Sequence, residues 1–215
     1  MDNSFPLQNS SLVNILTLRY DPSLKPNLPI KTSNDFEIND DIPDTEFIEK
    51  TICENIEQNL EKFTGEKISI ALSGGVDSTL ALSLIRKVKP DIEIEAISIK
   101  FADSVDETTA ASKIAHEFNA NHSILYLENY LSELPKAISM IKLPFWDLHW
   151  YYVVKKAKTF SNILISGDGG DELFSGYTFR YEKFLSLTSE NSTPLEKVKA
   201  YLECHERDRV SDQEY

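Results

Sequence analysis

Two short runs in this chain combine paired glycines with hydroxyls and carboxylates, and each follows a hydrophobic stretch. The first is Ser73-Gly74-Gly75-Val76-Asp77-Ser78, placed directly after Ile68-Ser69-Ile70-Ala71-Leu72. Paired glycines let the backbone come close to a ligand and take up conformations closed to other residues. The N–H groups of such a turn, with those opening the helix behind it, converge on one point with the helix dipole in support. Ser73 and Ser78 add hydroxyl donors, which makes an anion site suited to phosphate. No lysine follows the glycines as a Walker loop requires, and the three spaced glycines of the dinucleotide fingerprint are absent. Positive charge must therefore come from elsewhere, and Asp77 is the carboxylate suited to hold Mg²⁺ against phosphates. The plainer reading is a Gly-Gly turn with Asp77 as a helix cap.

The second run is Ser166-Gly167-Asp168-Gly169-Gly170-Asp171-Glu172-Leu173-Phe174-Ser175-Gly176-Tyr177, after Ile163-Leu164-Ile165. The chain has seven glycines, and all but Gly65 lie in these two runs, so they serve close backbone approach rather than general loop freedom. Asp168, Asp171 and Glu172 would repel one another unless a cation or a proton relieved them, and bound Mg²⁺ is the economical answer. Glu172 also reads as an ordinary acid at a helix N-terminus. That reading does not explain Asp168 between two glycines.

Hydrophobic periodicity supplies the elements that must hold these loops. Asp44 is a plausible N-cap for a helix in which Phe47, Ile48, Ile52, Ile56, Leu60 and Phe63 recur at helical spacing, with Gly65 closing it. Strands are predicted over 68–72, 95–99, 123–127 and 162–166. Helices are predicted over 78–88, 107–118, 131–141 and 148–160, the last after a break at Pro144, and from 171 toward 187. Alternation of this kind implies crossover connections: an α/β, Rossmann-like parallel sheet with helices on both faces, three layers in all. In such sheets ligands bind at the carboxyl ends of the strands, which selects the loops at 73–78, 100–106 and 167–171. Residues 1–43 hold five of the nine prolines and read as an extended arm; 44–188 is the folded domain, and 189–215 a polar tail.

Composition limits the partners. The formal net charge is −13, and no basic cluster is present to neutralise nucleic-acid phosphates, so nucleic acid and anionic membranes are disfavoured against a small-molecule substrate. No apolar run approaches the roughly 18 residues of a membrane span, and the N-terminus lacks a signal pattern, so the expectation is a cytoplasmic protein. Cys53 and Cys204 form no disulfide framework or zinc signature. His116 and His122 flank a helix-to-strand turn and read as structural. His149 sits beside Trp146, Trp150, Tyr151 and Tyr152, which read as aromatic core before they read as pocket.

Ser-Gly-Gly-Val-Asp-Ser resembles the pyrophosphate-binding loop of the ATP pyrophosphatase superfamily, whose members break ATP between its α- and β-phosphates. The second run is similar to the longer signature of the synthetase domain of asparagine synthetases and their relatives, including β-lactam synthetases. The resemblance implies an adenine nucleotide alpha hydrolase-like fold and a ligase that adenylates a carboxylate, by analogy aspartate. Ammonia would then displace AMP. It implies ATP and Mg²⁺, with Ser73, Gly74, Gly75, Val76, Asp77 and Ser78 at the pyrophosphate. Ser166 and Gly167 would meet nucleotide and substrate, with the backbone near Leu72 and Ile99 at the adenine. Asp77 and Asp171 would share the metal, and Asp168, often Glu in the family, would serve the ammonia step.

Glutamine-dependent members begin with a glutaminase whose nucleophile is an N-terminal cysteine, whereas position 2 here is Asp. The resemblance therefore implies free ammonia or a separate amidotransferase subunit as nitrogen source, and it leaves a homo-oligomer open. Family members also continue beyond the point matching Tyr215 with helices that carry basic phosphate contacts, so a shortened C-terminal half is the expectation. Arg180, Lys183, Arg207 and Arg209 are candidate phosphate partners, with solvated surface the plainer reading. The rival functions are a tRNA-modifying enzyme of the same superfamily and a non-catalytic nucleotide-binding or partner subunit.

Overall fold

The strand most completely removed from water is Lys67–Ala71 (β1), where Ile68, Ser69 and Ile70 are all inaccessible. A strand buried on both faces belongs at the middle of a parallel sheet. The computed structural model describes residues 9–18, 32–36, 44–62, 67–102, 106–141, 148–174 and 176–205. Phe63, Gly65, Pro144, Trp146, Arg207 and Arg209 lie outside the described residues, as does 103–105 of the second predicted loop. In chain order the helices are α1 (Asn9–Leu18), α2 (Thr45–Glu61), α3 (Val76–Val88), α4 (Thr108–Glu117), α5 (Leu134–Ile141), α6 (His149–Ala157), α7 (Gly170–Phe174), α8 (Thr178–Leu187) and α9 (Pro194–His205). The remaining strands are β2 (Glu93–Phe101), β3 (Asn121–Leu127) and β4 (Leu164–Ile165).

The four strands form one parallel sheet in the order β3-β2-β1-β4. Side chains alternate across it. Ile68, Ile70, Leu72, Ile94 and Ala96 meet Leu82 and Ile85 of α3 with Ala111 and Ala115 of α4. On the opposite face Ile97 meets Val153 and Ala157 of α6, with Ile99, Leu125 and Trp150 around them. The α/β three-layer arrangement is therefore the one that strand-helix alternation implied. Because β1 is central, the loop after it opens at the middle of the sheet, and β4 brings the second loop alongside.

Boundaries shift where local chemistry is subtle. Asp44 caps α2, accepting from the Glu46 and Phe47 N–H groups at 3.0 and 3.2 Å. Helix α3 starts at Val76, earlier than the predicted Ser78, because Gly75 is its N-cap and offers no side chain to mark the start. The region 131–141 divides into a 3-10 turn, Tyr130–Glu133, and then α5. The helix expected from 171 to 187 also divides, into α7 and α8. Asn119, with φ of 51°, turns α4 into β3.

Arg86 on α3 clamps two loops at the far end of the sheet. Its Nε donates to the Phe118 carbonyl at 2.9 Å and its Nη2 to that of Asn119 at 2.9 Å. Its Nη1 reaches the carbonyls of Pro90 and Ile92 at 2.6 and 2.9 Å. Arg86→Ala should cost about 3 kcal/mol in urea unfolding, because charge-assisted bonds are lost and carbonyls stranded. Arg86→Lys should recover less than half, since an ammonium cannot reproduce the planar fork.

Residues 42–174 make up one compact unit, which holds the sheet and α2 to α7. Residues 1–41 and 175–215 make up a second. Within that second unit α1 is a helix inside the stretch whose prolines suggested an extended arm, and α9 is a helix inside the expected polar tail. There Phe36 meets the Tyr201 ring edge-on at 6.1 Å, and Tyr201 lies 4.1 Å from His205. A box of mutual bonds between Thr193 and Glu196 starts α9. Among the described residues no helix is long and apolar enough to cross a membrane.

Candidate active site

The first glycine loop is shaped by its own hydroxyls. The Ser73 hydroxyl lies 3.1 Å from that of Ser78 and accepts the Gly75 N–H at 3.2 Å. The Ser78 hydroxyl in turn accepts the Ser73 N–H at 3.3 Å. Gly74 has φ of +82°, which a side chain would strain, and its Cα faces the first turn of α4. A Cβ there would lie 3.3 Å from the Ala111 nitrogen and 3.4 Å from the Ala110 Cβ, so the small residues of α4 let the loop sit close. Val76 is 82 % exposed at the loop's tip. Asp77 is in the first turn of α3, where acidic residues complement the helix dipole, but it is not the cap.

The second loop docks directly onto the first. A Cβ on Gly167 would lie 2.7 Å from the Ser78 nitrogen and 2.8 Å from the Asp77 carbonyl carbon. A Cβ on Gly170 would lie 2.5 Å from the carboxyl carbon of Asp77 and 2.6 Å from its Oδ1. At Gly167 the clash is with backbone, so only glycine fits; at Gly170 it is with the Asp77 side chain, which a methyl would push aside. Asp77 thus directs its carboxylate at the backbone immediately before Asp171, which opens α7. Gly169, with φ of +95°, makes the turn between them.

At this junction is an open cleft of about 320 Å³. Its polar lining includes Ser73, Ser78, Ser166, Gly167 and Asp168, and its apolar lining Leu72, Ile97, Ile99, Phe101, Trp150 and Val153. A volume of that order with both hydroxyl-bearing and apolar walls suits part of a nucleotide. Of the residues singled out from sequence, Leu72, Ser73, Ser78, Ile99, Ser166, Gly167 and Asp168 line it. Gly74, Gly75, Val76, Asp77 and Asp171 shape or border the loops without lining the cleft itself.

Sequence reasoning missed several lining residues. Glu107 and Thr108 reach the cleft from the start of α4 and Ser98 from β2; His149 and Trp150, which read from sequence as core first and pocket second, line it from α6. His149 is steadied through its N–H, which donates to the Tyr130 hydroxyl at 3.1 Å, and its ring lies 5.5 Å from that of Trp150. The available signal was position: a helix feeding the strand before a glycine loop packs over that loop's end of the sheet. Nearby, burial pushes the His122 imidazole below the ordinary histidine range, and the negative charge of Glu95 partly opposes it.

The donor set suits magnesium. Carboxylate oxygens are the hard donors that it takes, and the Asp77 carboxylate lies against the Gly170 backbone, one residue before Asp171. Among the described residues no cluster of three or more acids, histidines or cysteines could form a closed protein cage. Magnesium commonly takes one or two carboxylates and leaves its other positions to phosphate and water. The basic candidates of the second unit have local partners: Arg180 lies 4.5 Å over the Tyr177 ring, and Lys183 donates to the Glu203 carbonyl at 3.3 Å.

Known proteins resemble this chain over part of its length. The chain is 31% identical over 139 residues to asparagine synthetase [glutamine-hydrolyzing] 1 of Bacillus subtilis, covering 61% of this chain and 20% of that protein. It is 34% identical over 111 residues to putative asparagine synthetase [glutamine-hydrolyzing] 2 of Methanocaldococcus jannaschii, covering 49% and 22%. The chain thus spans about a fifth of the length of these curated relatives. Among solved structures, an NH3-dependent NAD synthetase from Campylobacter jejuni superimposes with a TM-score of 0.46 at 18% identity, over 76% of this chain and 75% of that one. The asparagine synthase family model matches residues 61–213, which contain β1 and both glycine loops, and the chain belongs to that family.

Proposed function

We propose that this chain is an ATP-dependent amide-forming synthetase of the asparagine synthetase kind. The observation that carries the reading is the interlock of the two loops, in which Gly167 and Gly170 admit Asp77 and Ser78 to direct contact. That contact sets a hydroxyl-lined anion turn beside Asp168 and Asp171 at the carboxyl ends of adjacent strands.

The base and ribose of ATP lie against Ile99 and the backbone around Leu72. The β- and γ-phosphates rest on the loop from Ser73 to Ser78, with Ser166 and Gly167 at the nucleotide and substrate. Asp77 and Asp171 would hold Mg²⁺, which would supply charge neutralisation for the departing pyrophosphate. A substrate carboxylate, aspartate by family, attacks the α-phosphorus, and the bond from that phosphorus to the bridging oxygen of pyrophosphate breaks. The product is an acyl-adenylate. Ammonia attacks its acyl carbon, the bond to AMP breaks, and Asp168 takes the proton that the new amide sheds. The nitrogen comes from free ammonia or from a separate amidotransferase.

Pyrophosphate release is the discriminating measurement. With ATP, Mg²⁺ and a panel of amino acids, release should depend on aspartate and on ammonia or a glutaminase partner. ATP binding without release under any of these conditions would instead favour a non-catalytic nucleotide-binding subunit. Release driven by tRNA would favour the tRNA-modifying rival.

A further inference from the structure

A polar chain that the glycine loops do not account for runs from Ser98 in the cleft wall to helix α4. Ser98 on β2 is 5% exposed, and its hydroxyl stands 2.5 Å from the Leu72 carbonyl oxygen and 2.8 Å from His122 Nε2. On the far side of the imidazole, Nδ1 stands 2.8 Å from the Ser112 hydroxyl of α4. One proton arrangement satisfies every member. A carbonyl can only accept, so the Ser98 proton goes to Leu72. The Ser98 oxygen then accepts from Nε2–H, and Nδ1 accepts the proton of Ser112. The imidazole is thus neutral and fixed in the Nε2–H form, and it lies outside the residues that line the cleft.

The acceptor at the end of this chain matters more than its length. The Leu72 carbonyl and the Ser73 N–H belong to one planar peptide group, so they turn together. Ser98 holds the carbonyl side, and the Ser78 hydroxyl holds the N–H side at 3.3 Å. The Leu72 N–H is itself tied to the Ile97 carbonyl at 2.9 Å. The phosphate turn departs from β1 at this peptide. We propose that His122 is a positioning residue for nucleotide binding: acting through Ser98, it fixes the peptide from which the phosphate loop springs. The proposal rests on the nucleotide reading above and names a residue that touches no ligand.

The test measures dissociation constants for ATP and for inorganic pyrophosphate, alongside urea unfolding, in Ser98→Ala, His122→Leu, His122→Gln and the Ser98→Ala/His122→Leu pair. Ser98→Ala and His122→Leu should each weaken both ligands about tenfold, the equivalent of one lost hydrogen bond. His122→Gln keeps an amide donor near the position of Nε2 and should bind within about threefold of the natural protein. In the Ser98→Ala background His122→Leu should change nothing further, because the histidine acts through that hydroxyl. Should His122→Leu fail to fold, His122→Ala, alone and in the Ser98→Ala background, takes its place with the same expected losses. Unaltered affinity in Ser98→Ala, with only its unfolding curve displaced, would reduce the chain to ordinary core satisfaction and overturn the proposal. If the natural protein binds neither ATP nor pyrophosphate, the nucleotide reading itself fails, and this inference with it.

Discussion

Asp77→Asn is expected to lower pyrophosphate release by about 10²–10³-fold, the scale on which removal of one preorganised charge-stabilising group acts. The substitution keeps size and shape, so the loop interlock survives. What changes is charge: an amide oxygen is a poor substitute for a carboxylate toward a hard cation carrying phosphate oxygens. Asp77 does not cap α3 and is only partly buried, so equilibrium unfolding should move by no more than about 0.5 kcal/mol. Asp171→Asn should give a comparable loss. Because the two carboxylates serve one cation in the proposed reading, the double variant should be little worse than either single one. Mg²⁺ dependence of ATP affinity gives a second readout, and it should flatten in all three variants. Full additivity, with each residue multiplying the other's loss, would mean that the two acids do separate jobs and would remove the shared-metal role.

The elements that carry the loops were readable because their signals are local. Ile68, Ile70 and Leu72 around a serine, followed at once by paired glycine, can hardly be anything but a strand entering a tight turn, and β1 is that strand. Other features depend on what folds against what. The start of α3 lacked a side-chain marker because its cap is Gly75. Helix α1 is ten residues long, too short for a periodic stripe to stand out from its proline-rich surroundings. His149 and Trp150 read as core before pocket, since aromatic side chains fill both interiors and pockets, and they sit more than seventy positions from the first loop. Ser98, Ser112 and His122 are individually ordinary. Only the pairing of β2 with β3, which sets Ala96 opposite His122, joins them into a chain ending at Leu72.

The glycines of the second loop offer the sharpest separation of fold from chemistry, since three alanine substitutions within four positions should behave differently. Gly169→Ala meets no atom within 4 Å, so only its φ of +95° opposes the change. It should cost about 1–2 kcal/mol of stability and leave most activity. Gly167→Ala drives a methyl to 2.7 Å from the Ser78 nitrogen and 2.8 Å from the Asp77 carbonyl carbon. Those atoms are backbone at the start of α3 and cannot swing aside, so β4 and α3 must separate. The expected cost is about 1–3 kcal/mol in unfolding, with at least roughly a hundredfold loss of turnover, because displacements near 1 Å are enough for that. Gly170→Ala meets the Asp77 carboxyl carbon at 2.5 Å, and that group can rotate away. Its stability should therefore change by less than about 1 kcal/mol, while pyrophosphate release falls as far as in Asp77→Asn, because the carboxylate has been turned from its task. Unfolding curves and pyrophosphate release measured on the three proteins decide it. A Gly170→Ala variant with full activity would show that the orientation of Asp77 is not what the chemistry needs.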